Sequence, residues 1–177
     1  MTLRTILSIP DPRLRKVCNH VDVFDNKLQI LCDDLIETMY AAPGIGLAAP
    51  QIGILKKVIV MDCDKETQDH KPIILINPKI VWASEEKRSY EEGCLSIPKT
   101  YAEISRADKV KVTYNDLLGK RNETIFSDLW ATCVQHEIDH LNGKLFIDYL
   151  GSVKRGVIMR KMMKIKRETL KISKDKQ

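Results

Sequence analysis

Apolar positions along this chain repeat with two different periods, and the changes of period mark its elements. From Asp25, a residue type that caps helices, Leu28, Leu31, Leu35 and Met39 recur at about 3.6-residue spacing. That spacing predicts an amphipathic helix, stopped before Pro43-Gly44. Upstream, Pro10-Asp-Pro-Arg-Leu reads as a turn that opens a short helix or a loop. Gly44-Ile-Gly-Leu-Ala-Ala-Pro-Gln51 is too rich in Gly and Pro for the interior of an element. β-branched and aromatic runs then take over at Lys57–Met61, Ile73–Ile76, Ile80–Trp82, Tyr101–Ile104 and Val110–Tyr114. A turn at Leu118-Gly119 pairs the last of these with Glu123–Phe126. Ser127 or Asp128 caps a second helix that runs to about Leu141 and closes at Asn142-Gly143. A third helix starts at Ser152 and fades into the Lys-rich end. Strands in the middle, with helices at both ends and within, predict an α+β fold.

The chain of 177 residues is one domain long, enough to bury a core without disulfides. Residues 1–177 are therefore read as a single catalytic domain, with 151–177 a basic helical extension. Five cysteines, Cys18, Cys32, Cys63, Cys94 and Cys133, are scattered with no CxxC pair. The opening apolar run is too short for an export signal and meets Pro10 and Pro12 at once. No apolar stretch approaches membrane-spanning length. The expectation is a reduced, cytoplasmic protein with free thiols.

The sharpest chemical signal is His136-Glu137-Ile138-Asp139-His140. Residues four apart share a helix face, so both imidazoles can converge on one ion. Glu137, on the adjoining side, can reach a water bound there. The bland alternative is a surface helix that happens to carry two histidines. A catalytic site needs a third protein ligand and an open position. His20 and His70 sit in a turn and a polar loop, and Glu168 lies on a strongly basic helix. Cys94, in Glu91-Glu-Gly-Cys-Leu-Ser-Ile-Pro98, is the better candidate, although any single cysteine can be a small buried hydrophobe. Composition and spacing leave that choice open.

Three segments together narrow it. Gly44-Ile-Gly-Leu-Ala-Ala-Pro-Gln51, Glu92-Gly-Cys-Leu-Ser96 and His136-Glu-Ile-Asp-His140 resemble, in order and spacing, the three motifs of the peptide deformylases. The likeness extends from the Pro-Asp-Pro near the start to Asp148-Tyr149. It implies mixed or antiparallel strands around a central metal-binding HExxH helix, with an N-terminal helix and a basic C-terminal helix. It makes Cys94, His136 and His140 the metal ligands and Glu137 the general base, then acid. Gln51 and the Leu95 backbone N–H would bind the oxyanion. Gly46 would let a substrate backbone approach, and Ile45, Leu129 and Cys133 would wall the methionine slot. Tyr90 and Tyr101 match the family's usual residues less well and bear on pocket shape, not on the reaction. Glu92 and Arg106 are expected to form a supporting ion pair. The resemblance further implies N-formylmethionyl nascent peptides as substrate and one divalent ion per chain. That ion is expected to be Fe2+, with Zn2+, Ni2+ or Co2+ able to substitute.

Charge adds one feature. The net charge is +5, yet residues 151–177 hold ten Lys/Arg against only Glu168 and Asp175, so the first 150 residues are mildly acidic. Leu150, Val153, Val157, Ile158, Met162 and Ile165 are expected to form the packed seam of the last helix, leaving a Lys/Arg face. That face is read as a docking surface for ribosomal RNA, ahead of a plain solvated surface or an anionic membrane. Two other functions compete for the motif. A peptidase using Glu168 as third ligand leaves the first two motifs without a task. A ribosome-associated factor with a structural zinc needs Cys133 or Cys63 as fourth ligand and leaves Glu137 idle.

Overall fold

The structure, a computed structural model, describes residues 2–64 and 71–174; His70 lies outside them. Helix α1 (Asn26–Ala41) forms as its spacing predicts. The Asp25 carboxylate accepts a hydrogen bond from the Leu28 N–H at 3.0 Å, and Leu28, Leu31, Leu35 and Met39 are all buried. Strands β1 (Gly46–Ala48), β2 (Val58–Met61) and β3 (Ile73–Ala83) follow, then β4 (Lys87–Cys94), β5 (Ile97–Ala107), β6 (Lys109–Asn115) and β7 (Arg121–Ser127). Helix α2 spans Asp128–Leu141 and helix α3 Ser152–Lys174. All strand pairs are antiparallel: a five-stranded sheet ordered β1-β2-β3-β6-β7, and a separate β4–β5 hairpin. The α+β expectation holds.

Strand β2 shows how the layers are built. Alternate side chains of a strand face opposite ways. Val58 and Val60 pack with Leu28, Leu35 and Met39 of α1, whereas Ile59 and Met61 join Ala131, Val134, Ile138 and Leu141 of α2. Buried on both faces, this strand is a continuous apolar run. A third cluster, Ile97, Ile104, Leu145, Phe146 and Met162, lies under the hairpin, so α2 is covered by the sheet on one side and by the hairpin on the other.

Five expectations need correction. Strand β1 forms inside the Gly-rich segment because its backbone pairs with β2, Gly46 opposite Met61. The runs 73–76 and 80–82 are one strand, bulged where Asn77 takes φ 54° before Pro78. Strand β4 carries mostly exposed polar residues and shows no apolar alternation, and β5 is correspondingly longer than Tyr101–Ile104. Ser127 occupies the N-cap of α2 without a side-chain bond, while the Asp128 carboxylate pairs with Arg88 at 2.6 Å. The seam of α3 is narrower than expected. Met162 is buried and Leu150 and Ile158 pack beside it, but Val153 and Val157 are 79% and 52% exposed and Ile165 is exposed too. Val153 lies about two and a half turns from Met162, hence on the opposite face.

Candidate metal centre

Cys94 is the last residue of β4, immediately before the two-residue turn Leu95-Ser96 that leads into β5. The hairpin lies over α2 and brings the thiol to the helix face that carries both histidines. Ligand atoms of Cys94, His136 and His140 all lie within 4.8 Å of one another, and Cys94 Sγ is 3.2 Å from His140 Nε2. A small inward shift closes that spread around one ion bonded at about 2.0–2.3 Å. One thiol and two imidazoles are a donor set for a divalent transition ion. Among the described residues, His140 Nδ1 and Glu137 Oε2 are buried without a hydrogen-bond partner. A polar pocket lined this way fits a metal centre better than it fits an apolar core.

The carboxylates around the centre are set by their surroundings. Glu92 Oε2 lies 2.9 Å from His136 Nδ1, which turns the other ring nitrogen toward Cys94. Arg106, 5% exposed, holds Glu92 through two bonds of 2.5 and 3.0 Å and reaches Asp139 at 2.8 Å. Tyr149 donates to the same Asp139 carboxylate at 2.8 Å, and its ring lies 4.8 Å from the guanidinium. Burial raises the Glu92 carboxyl, but the bonds from His136 and Arg106 outweigh it and hold it below the usual range. Glu137 has no such support, and burial pushes it up to about 7. Burial and the neighbouring His136 keep His140 well below the ordinary imidazole value.

A cleft of about 440 Å³ opens beside the centre, lined by Ile45, Gly46, Gln51, Cys94, Leu95, Leu129, Cys133, His136 and Glu137. Gln51 is 2% exposed and its amide is fixed at both ends. Its Oε1 accepts from the Ala48 N–H at 2.8 Å, while Nε2 donates to Ser96 Oγ at 3.2 Å and faces Cys94 Sγ at 3.7 Å. At Gly46 a Cβ would stand 2.6 Å from Glu137 Oε1 and 2.8 Å from Cys133 Sγ, so any side chain there would collide with the carboxylate. Each residue singled out in the sequence thus borders one cleft or its metal cluster, and the Glu92–Arg106 pair forms. The sequence reading missed Ser96, Asp139 and Tyr149. Asp139 sits inside the HExxH run and Ser96 two residues after Cys94, which was the available signal.

Fold and site together define a class: an α+β metallo-hydrolase whose HExxH helix is completed by a cysteine from a β-hairpin. Comparison with known proteins narrows the class. The polypeptide deformylase family model matches residues 3–156. A peptide deformylase of Rhizobium meliloti is 50% identical over 164 residues, covering 93% of this chain and 94% of its own length. One from Methylocella silvestris is 53% identical over 167 residues, with 93% and 85% covered. The crystal structure of an Ehrlichia chaffeensis peptide deformylase in complex with actinonin superposes with a TM-score of 0.90 at 39% identity, covering 94% of this chain and 99% of that one. The chain belongs to the peptide deformylase family. Its reaction is hydrolytic removal of the N-terminal formyl group from formyl-methionyl polypeptides, giving formate and a free N-terminal methionine.

Proposed function

We propose that Cys94, His136 and His140 hold the single divalent ion of this reaction and that Glu137 is its general base and acid. The observation that carries the reading is the convergence of those three donors within 4.8 Å beside an unpartnered, buried Glu137 carboxylate. A divalent ion on these donors supplies Lewis acidity, polarising the formyl carbonyl and acidifying the attacking water. Glu137 takes the proton of that water as its oxygen attacks the formyl carbon. With its carboxyl raised to about 7, Glu137 can hold the proton and return it to the departing amine near neutral pH. The Gln51 Nε2–H and the Leu95 backbone N–H receive the oxyanion, and because Gln51 is anchored in advance no reorganisation is needed. Gly46 admits the substrate backbone, and Ile45, Leu129 and Cys133 wall the methionine side chain. Glu92 and Arg106 orient His136.

The native ion is Fe2+, and Zn2+, Ni2+ or Co2+ can replace it on the same donors. Residues 1–177 act in the cytoplasm as one catalytic domain on N-formylmethionyl nascent peptides. The exposed Lys and Arg residues of α3 dock this domain on ribosomal RNA. No helix among the described residues is long and apolar enough to cross a membrane. The reaction is tested by formate release from formyl-Met-Ala, using anaerobically purified protein reconstituted with Fe2+. Release should disappear in Glu137→Gln with the ion retained, and undiminished release would reject the assigned base. The docking is tested by ribosome co-sedimentation of a chain ending at Leu150. Binding should drop sharply, and equal sedimentation of both forms would contradict it.

A further inference from the structure

Behind Cys94 the β4–β5 ladder breaks register. Cys94 pairs with Ile97, but the residue before it, Gly93, pairs with Tyr101, so Pro98, Lys99 and Thr100 bulge out. Bulges beside active sites re-aim a side chain. Lys99 takes φ 54°, a conformation that a lysine rarely adopts, and its carbonyl accepts a 2.9 Å hydrogen bond from Lys161 Nζ of α3. Beyond the bulge, the Tyr101 ring lies against Gly93 so closely that a Cβ there would be 2.6 Å from Cε1. Even so, Tyr101 is 66% exposed, and it borders the same cleft as Cys94 and Leu95. An exposed ring, set into place by a bulge and a glycine, has no task in the chemistry of deformylation.

We propose that Tyr101 is a specificity-determining residue that receives the side chain following the formyl-methionine and favours an aromatic group there. The inference rests on the reading that the cleft holds the formyl-methionyl end of the substrate. An extended peptide advances about 3.3 Å per residue and alternates its side chains. The methionine slot is walled by Ile45, Leu129 and Cys133, from the β1 and α2 side of the cleft. The second side chain therefore turns to the opposite wall, the hairpin, where Tyr101 stands one ladder step from Cys94. A ring already held on one face needs little further ordering to stack on the other.

The test compares kcat/KM for formyl-Met-Phe-Ala, formyl-Met-Ala-Ala and formyl-Met-Ala-Phe in the Fe2+ enzyme, Tyr101→Ser and Tyr101→Phe. The unaltered enzyme should prefer Phe over Ala at the second position by about three- to tenfold, the scale of one aromatic contact. Tyr101→Ser should bring that ratio close to one, and Tyr101→Phe should retain it. Equal rates in the unaltered enzyme, a ratio that survives Tyr101→Ser, or a preference confined to the third position would each overturn the proposal. Failure of the unaltered enzyme to release formate from any of the three peptides would instead reject the reading of the cleft itself.

Discussion

On α2, nine of fourteen residues are buried, four of them Thr132, His136, Glu137 and His140. On α3, Met162 alone is buried among the side chains described, and Val153, Val157 and Met163 stand in solvent amid the lysines and arginines. Both helices carry apolar residues along a polar sequence, but α2 is enclosed by a sheet and a hairpin while α3 is fastened along one edge. A catalytic centre needs groups fixed to a fraction of an ångström, and close packing on two sides with a bonded carboxylate–arginine shell supplies that. Docking to a polyanion needs the opposite, a charged face left free.

Substitutions sharpen that contrast. Arg106→Met would leave Glu92 and Asp139 buried without their cation, a loss of about 3–5 kcal/mol. Urea unfolding would read that loss, and metal affinity should fall about 10- to 100-fold as His136 loses its anchor. Leu141→Ala, at a site 1% exposed on α2, should destabilise by about 2–5 kcal/mol in the same assay. Removing the helix cap with Asp25→Ala should cost about 1 kcal/mol. Val153→Ala on the open face of α3 should stay within about 0.5 kcal/mol. A large loss there would mean that α3 packs more extensively than one edge.

Acid titration separates the body from the tail in another way. Burial raises the Asp34 carboxyl, but the Thr2 N–H at 2.7 Å and the Arg4 guanidinium at 2.9 Å outweigh it and hold it below its ordinary value. Asp148 is likewise lowered, its burial outweighed by Arg15 and the Leu145 N–H. A carboxyl with a lowered folded-state value contributes stability that is complete above its unfolded value, about 3.9. That stability is lost as the pH falls through the folded value. Stability should therefore decline below about pH 4, and Asp34→Asn should flatten part of the decline.

Much of this architecture can be read from the sequence wherever one residue's neighbours in the chain are also its neighbours in space. The α1 stripe and the i, i+4 histidines are of that kind. Strand β4 is not, because Lys87, Arg88, Ser89 and Glu91 face solvent and only Glu92 is buried, so no alternation marks it. Nor does β1, whose three residues become a strand only by pairing with β2. In the site, the motif likeness picked out Cys94 and its pairing with the helix. The bond from Tyr149 to Asp139 and that from Gln51 to Ser96 join segments distant in the chain, and no local pattern announces them. The α3 seam was misread because apolar residues were grouped along a helix whose far face meets nothing.

The central claim is that a hairpin cysteine and two helix histidines share one ion. Elemental analysis of anaerobically prepared protein tests it most directly, comparing the unaltered chain with Cys94→Ser, His136→Ala and Glu137→Gln. The account predicts about one equivalent of metal in the unaltered chain and in Glu137→Gln, with weakened or lost binding in the two ligand variants. Full metal content in Cys94→Ser and His136→Ala, at unchanged affinity, would contradict it.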